Sequence, residues 1–233
     1  MHRLQYYLNN KIFLIFIFSL LIFITKWYLF VFSENNLEVK ILFNYIADSK
    51  YWIPYIKFIS EFSFNNSFDP EISNLKGLPI PLGSLFIYSI FYNFFGLYSL
   101  IIVEFFALFL FLLIFYKIFK RFCSDNISLL SSLLLISLPG ILTYFNFDFW
   151  MLKNTLNNLY SLRLHRPVFS NIFFYTCIYF LIKEIQEKEI NRKNIFILSF
   201  VMGLLFSSFY YFFIIIFLSL IGILIYKIKF KID

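Results

Sequence analysis

Leu78 to Arg121 reads LPIPLGSLFIYSIFYNFFGLYSLIIVEFFALFLFLLIFYKIFKR. No charge occurs between Lys76 and Glu104, and none between Glu104 and Lys117. That is far more than the roughly 20 apolar residues that cross a bilayer once. The basic group Lys117, Lys120 and Arg121 asks for the cytoplasmic side at its end. With the polar loop before Leu78 outside, only one crossing fits. Residues 97–117 are therefore read as a true span. Residues 78–95 become an interfacial, half-inserted helix on the outer face, and Gly96 marks the turn between the two.

The composition agrees with this reading. Of 233 residues, 61% are hydrophobic and 14% charged, more apolar surface than a soluble domain of this size could hide. The net charge is +7, but the basic residues gather at the ends of apolar runs. That distribution suits membrane anchoring and argues against nucleic acid as a partner. The 37 phenylalanines follow the same drift toward Phe, Ile, Asn and Lys that an AT-rich coding sequence produces, so they are not by themselves a stacking site. Cys123 and Cys177 lie in separate segments without metal-ligand spacing.

Toward the N-terminus, residues 12–32 are apolar apart from Ser19, Thr25 and Lys26, and read as an uncleaved signal anchor with its start inside. Residues 33–96 then form an outer loop. In it Val39, Leu42, Phe43 and Ile46 share one helical face against Glu38, Lys40 and Asn44, as a surface-lying helix would. A second short helix is expected to begin at Pro54 and run through Tyr55, Phe58, Ile59 and Phe62. Asp48 falls at the junction of the two.

Toward the C-terminus, spans are expected over 127–145 and 167–182, with Pro139-Gly140 weakening the first and Pro167 opening the second. The charged segment from Lys183 to Lys193 is cytoplasmic on this reading. Residues 195–226 are too long for one upright crossing, which predicts two helices, 195–207 and 209–226, with a turn near Ser207-Ser208. The expected fold is one all-α polytopic membrane domain. It has about six transmembrane helices plus outer-face interfacial helices, and both termini are cytoplasmic.

The candidate chemistry lies on the outer side, where the polar loops are. Asp48, beside Tyr51 and Trp52, could serve as a general base with its carboxyl partly desolvated, or simply cap a helix junction. Lys76, Lys153, Arg163, His165 and Arg166 could gather around a phosphate, or be ordinary solvated loop residues. Glu104 is an ionisable group inside an apolar run, either a site residue or a buried carboxylate paired to a neighbour. No phosphate-binding, zinc-protease, hydrolase-elbow or dinucleotide motif is present. No metal site is assigned, and the sequence specifies neither a cofactor nor a divalent metal.

The order of these features resembles the N-terminal half of GT-C type membrane glycosyltransferases, which use polyprenyl-phosphate sugars, as protein mannosyltransferases and aminoarabinose transferases do. The residues that carry it are Asp48-Ser49-Lys50-Tyr51-Trp52, then Leu78-Pro79-Ile80-Pro81-Leu82-Gly83 leading to Phe94-Phe95-Gly96, and the closing helix pair. The resemblance implies that Asp48 takes the proton from an acceptor hydroxyl. It also implies that Lys76 and the later basic residues meet the lipid phosphate. Two departures stand out. Ser49 follows Asp48 where members often carry a second acid, and Arg166-Pro167 stands where many have an acidic residue, with Asp148 a displaced substitute. Members are also about twice as long, so a partner subunit could complete the fold. The expected location is a bacterial inner membrane, with membrane lipid and a lipid-linked sugar as partners. The competing functions are a non-catalytic scaffold subunit for lipid-linked substrate, or a small transporter. The transporter reading lacks the paired broken segments of an inverted repeat.

Overall fold

The structure, a computed structural model, describes residues 2–31, 38, 41, 46–62, 82–144, 167–186 and 192–230. The described residues form helices and turns, with no strand among them. The helices are α1 (His2–Val31), α2 (Ile46–Ser60), α3 (Leu82–Phe95), α4 (Ser99–Phe119), α5 (Asp125–Tyr144), α6 (Pro167–Gln186), α7 (Arg192–Ser208) and α8 (Tyr210–Phe230). Two apolar stretches among them are long enough to cross a membrane, Leu82–Phe119 and Val168–Gln186. Asp125–Leu138 and Tyr210–Tyr226 are apolar but shorter.

The long stretch is broken where glycine allows it. Gly96 takes a φ of +55°, the left-handed region that L side chains disfavour. A single 3-10 turn, Gly96–Tyr98, then feeds α4. In one straight helix Phe91 and Phe106 would stand about 22 Å apart. Their ring centroids are 6.0 Å apart, so the chain folds back on itself. Along its length α3 meets three helices in turn: Phe91 touches α4, Tyr88 stands edge-on to Phe169 of α6 at 5.4 Å, and Gly83 abuts the end of α7. A helix that crosses the ends of α6 and α7 in this way lies transverse to them. Its described part begins at Leu82, and residues 78–81 of the expected helix lie outside the described residues.

One expectation is corrected. No helix starts at Pro54: α2 runs unbroken from Ile46 to Ser60 with Pro54 inside it, and Asp48 lies in its first turn instead of at a junction. An interior proline loses a hydrogen bond and crowds the carbonyl four residues back, a cost of about 3 kcal/mol. Burial of Ile56 and Ile59, with Trp52, Ile53 and Tyr55 packed on the same core, offsets that cost. The expected helix over 37–47 lies outside the described residues except for Glu38, Ile41 and the two residues that open α2. The first helix starts at His2, ten residues before the apolar run.

The closing pair matches the expected division, with the break at Phe209 between α7 and α8. The Phe209 amide still donates to Leu205 at 2.7 Å, while the amides of Phe212 and Phe213 both turn to the Phe209 carbonyl. Phe212 then packs on Phe174 of α6, with ring centroids 4.6 Å apart.

The outward faces are hydrocarbon. On α1 the inward line is Ile15, Ser19 and Trp27, whereas Phe13, Leu21 and Ile24 are about half exposed or more. On α8 Ile216 is buried while Leu218 and Ile225 are exposed at 61% and 59%.

Of the described glycines Gly83, Gly96, Gly203 and Gly222, only Gly83 has neighbours within 4 Å of where a Cβ would stand. A Cβ there would lie 2.5 Å from Ser207 Oγ, 2.6 Å from Ser208 Oγ and 2.7 Å from the Leu204 carbonyl oxygen, and a backbone carbonyl cannot rotate away. Gly83→Val is expected to destabilise the protein by about 1–3 kcal/mol through overpacking. Gly203→Ala, where the added methyl meets open space, serves as the control. Thermal unfolding in detergent compares the two; equal melting temperatures would refute flush packing of α3 on α7.

Candidate functional site

The described charges sort to the two ends of the bundle. At one end stand the start of α1, the end of α4, the start of α5, the end of α6 and the start of α7. Lys11 Nζ donates to Asn126 Oδ1 at 2.5 Å, Lys120 pairs with Asp125 at 2.9 Å, and Lys183 Nζ donates to Asn194 Oδ1 at 3.1 Å. Arg121 lies over the Tyr179 ring, its guanidinium carbon 5.4 Å from the centroid. Burial pulls the Lys120 ammonium down, but Asp125 and Tyr116 acting together, through hydrogen bonds and charge, hold the group above its ordinary value. The stabilisation these contacts give Lys120 is therefore complete below the ordinary lysine range and is lost as pH rises through the raised value.

The opposite end carries α3 and, packed on it, α2. There Lys26 of α1 pairs with Glu104 of α4 at 2.5 Å. Glu104 is 4% exposed and Lys26 26% exposed, so the carboxylate is buried while the ammonium reaches it from the rim. The Lys26 Nζ also stands 5.4 Å from the centroid of the buried Trp27 ring. Beneath the pair, Phe16 and Phe23 of α1 meet Phe105 and Phe109 of α4 edge-on. Glu104 is thus a buried carboxylate paired to a neighbour. Lys26 is the residue that sequence reasoning missed. The signal was present, because two opposite charges in otherwise apolar helices are each costly unless they meet.

This end also holds buried hydroxyls. Most serine and threonine side chains in these helices donate to a carbonyl three or four residues back, as Ser19, Ser89, Ser132 and Thr176 do. Ser84, Ser99, Ser170 and Ser208 are buried and, among the described residues, have no hydrogen-bond partner. Ser84, Ser99 and Ser170 fall in the first turns of α3, α4 and α6, and Ser208 closes α7. Each buried unsatisfied hydroxyl costs about 1–3 kcal/mol.

Of the expected site residues, Trp52 is half-buried, 5.9 Å from Tyr55 centroid to centroid, and packs on the core. Asp48 and Tyr51 belong to α2 by their backbone. Their side chains lie outside the described residues, as do Lys76, Arg163, His165, Arg166 and Asp148 entirely. The structure thus brings together Glu104 with Lys26 and seats α2 on α3. Among the described residues no group of three His, Cys, Asp or Glu side chains is placed to hold a metal ion.

Glu104→Ala should lower stability by about 3 kcal/mol, because it strands Lys26 without its counter-ion. Lys26→Met combined with Glu104→Leu should recover most of that loss. Denaturation in detergent micelles measures both, and strictly additive losses would contradict the pairing. No protein family matches the chain, and no match is found among curated proteins or solved structures.

Proposed function

We propose that this chain is a polytopic membrane protein of about six crossings that acts at its non-basic, outer end on a polyprenyl-phosphate-linked sugar, as a GT-C type glycosyltransferase or half of one. The observation that carries the reading is α3, a strongly apolar helix that lies across the ends of α6 and α7 under α2 instead of continuing α4. A transverse apolar helix at a bundle end is the geometry of an interfacial segment, and it roofs a region where a lipid-linked headgroup can meet polar groups.

Three further observations support it. The outward faces of α1 and α8 are apolar. The opposite end collects Lys11, Lys117, Lys120, Arg121 and Lys183, as a cytoplasmic end does. The hydroxyls of Ser84, Ser99, Ser170 and Ser208, without partners among the described residues, offer donors at the roofed end.

In this proposal Asp48 accepts the proton of an acceptor hydroxyl as its oxygen attacks the anomeric carbon. The bond from that carbon to the phosphate oxygen breaks, and polyprenyl phosphate leaves with the electron pair. Lys76, Arg163, His165 and Arg166 stabilise the developing phosphate charge, with Tyr51 and Trp52 at the lipid boundary.

Asp48→Asn is expected to cut transfer from a polyprenyl-phosphate sugar by about 10²-fold or more while the protein stays membrane-inserted. Unchanged transfer would remove Asp48 from the chemistry. Absence of transfer by the unmodified chain would leave the scaffold reading. Sidedness is read by impermeant thiol labelling: the exposed native Cys123 stays unlabelled from outside, whereas Phe95→Cys in a Cys123→Ser background is labelled. Outside labelling of both would overturn the topology.

A further inference from the structure

At the basic end, a cavity of about 290 Å³ opens between α1, α4 and α6. Its lining is Ile12, Leu113, Tyr116, Lys117, Lys120, Arg121 and Tyr179. Five of these seven fall on the end of α4 and just beyond it, at spacings of three, one, three and one, so one helical face supplies both the apolar floor and the charged rim. We propose that this cavity binds the phosphodiester headgroup of an anionic glycerophospholipid from the adjoining leaflet. The inference rests on the membrane-spanning reading above.

Three observations carry it. The lining holds three cations and no carboxylate. Asp125, paired with Lys120 at 2.9 Å, stands outside that lining. Arg121 is positioned at both ends: its Nη2 donates to the Tyr179 hydroxyl at 3.4 Å with the guanidinium carbon 5.4 Å from the ring centroid, and the Gln186 side chain donates to its backbone carbonyl at 3.5 Å. A positioned guanidinium flanked by an exposed ammonium, Lys117, is the donor set that phosphate oxygens take. A cavity of this size holds a headgroup and leaves no room for two acyl chains. The acyl chains then lie outside, along Ile12 and Leu113, where the wall is apolar. Basic pockets between spans on the cytoplasmic side take anionic lipid for these reasons.

The test uses the purified full chain in nanodiscs of phosphatidylcholine alone, and of phosphatidylcholine with a minority of phosphatidylglycerol. Native mass spectrometry reads lipid retention and thermal unfolding reads stability. Phosphatidylglycerol is expected to be retained about tenfold over phosphatidylcholine and to raise the melting temperature. Lys117→Gln with Arg121→Gln abolishes the preference while the melting temperature in phosphatidylcholine stays unchanged. Lys57→Gln, at the other end, keeps the preference. An equal preference in the double variant overturns the proposal. So does protection by inorganic phosphate in phosphatidylcholine discs, which would assign the cavity to a soluble anion. If the double variant is unstable in phosphatidylcholine, Arg121→Lys alone decides: it keeps the charge but loses the planar fork, so lipid selectivity should fall, and retained selectivity refutes the site. A chain released from vesicles by alkaline carbonate fails the membrane reading. A chain that stays in the vesicle without lipid preference fails only this inference.

Discussion

The fold depends on one residue that can turn left-handed inside a run of hydrocarbon. Without Gly96 the stretch from Leu82 to Phe119 would continue as a helix roughly twice the thickness of a bilayer core. With it, α3 returns over α4 and reaches α6 and α7 within fourteen residues. The reversal produces the transverse roof, and the roof gives α2 a surface to rest on. A conformational permission at one backbone position thus separates a bundle with one blunt end from a bundle with a covered one.

The two ends then differ in how they treat polar atoms. At the basic end, charges meet amides, carboxylates and rings at the rim, where water can share the load. At the roofed end, a carboxylate is taken almost completely out of solvent and compensated by a lysine reaching across from α1. Four hydroxyls there have no partner among the described residues. Burial of polar groups without compensation is rare in native proteins, and where it occurs it calls for a reason. The proposed lipid-linked substrate is a reason of the right chemistry, since its phosphate and sugar hydroxyls supply acceptors and donors together.

Much of this was legible in the residues. The absence of charge from Leu78 to Val103 and the glycine within it forecast a break. The basic residues after Tyr116 forecast the end of a span, and the length from Ile195 to Tyr226 forecast two helices. Pro54 misled, because a proline that favours the first helical turn was tolerated in the ninth position once Ile56 and Ile59 were buried beyond it. Propensity is a local preference, and packing overruled it. Lys26 and Glu104 were each visible as anomalies, but 78 positions separate them, and only the packing of α1 on α4 joins them. The flush contact of Gly83 with Ser207 and Ser208 was equally hidden, because small residues announce a close approach without naming its partner. For Asp48, Lys76, Arg163, His165 and Arg166 the sequence argument stands on its own.

The separation between Lys26 and Glu104 has a consequence for biogenesis. In the proposed membrane-spanning fold, a chain inserted in the order of its synthesis would release α1 into lipid well before α4 emerges. Over that interval the ammonium has no counter-ion and can stay charged only by extending its stem toward the headgroups. Its place near the end of α1 allows that. Glu104 enters later with no such escape, so α4 can settle only alongside a helix already waiting with the opposite charge. On the proposed membrane reading, the pair would favour partition of α4 into the bilayer beside its correct neighbour over any position alone among the lipids.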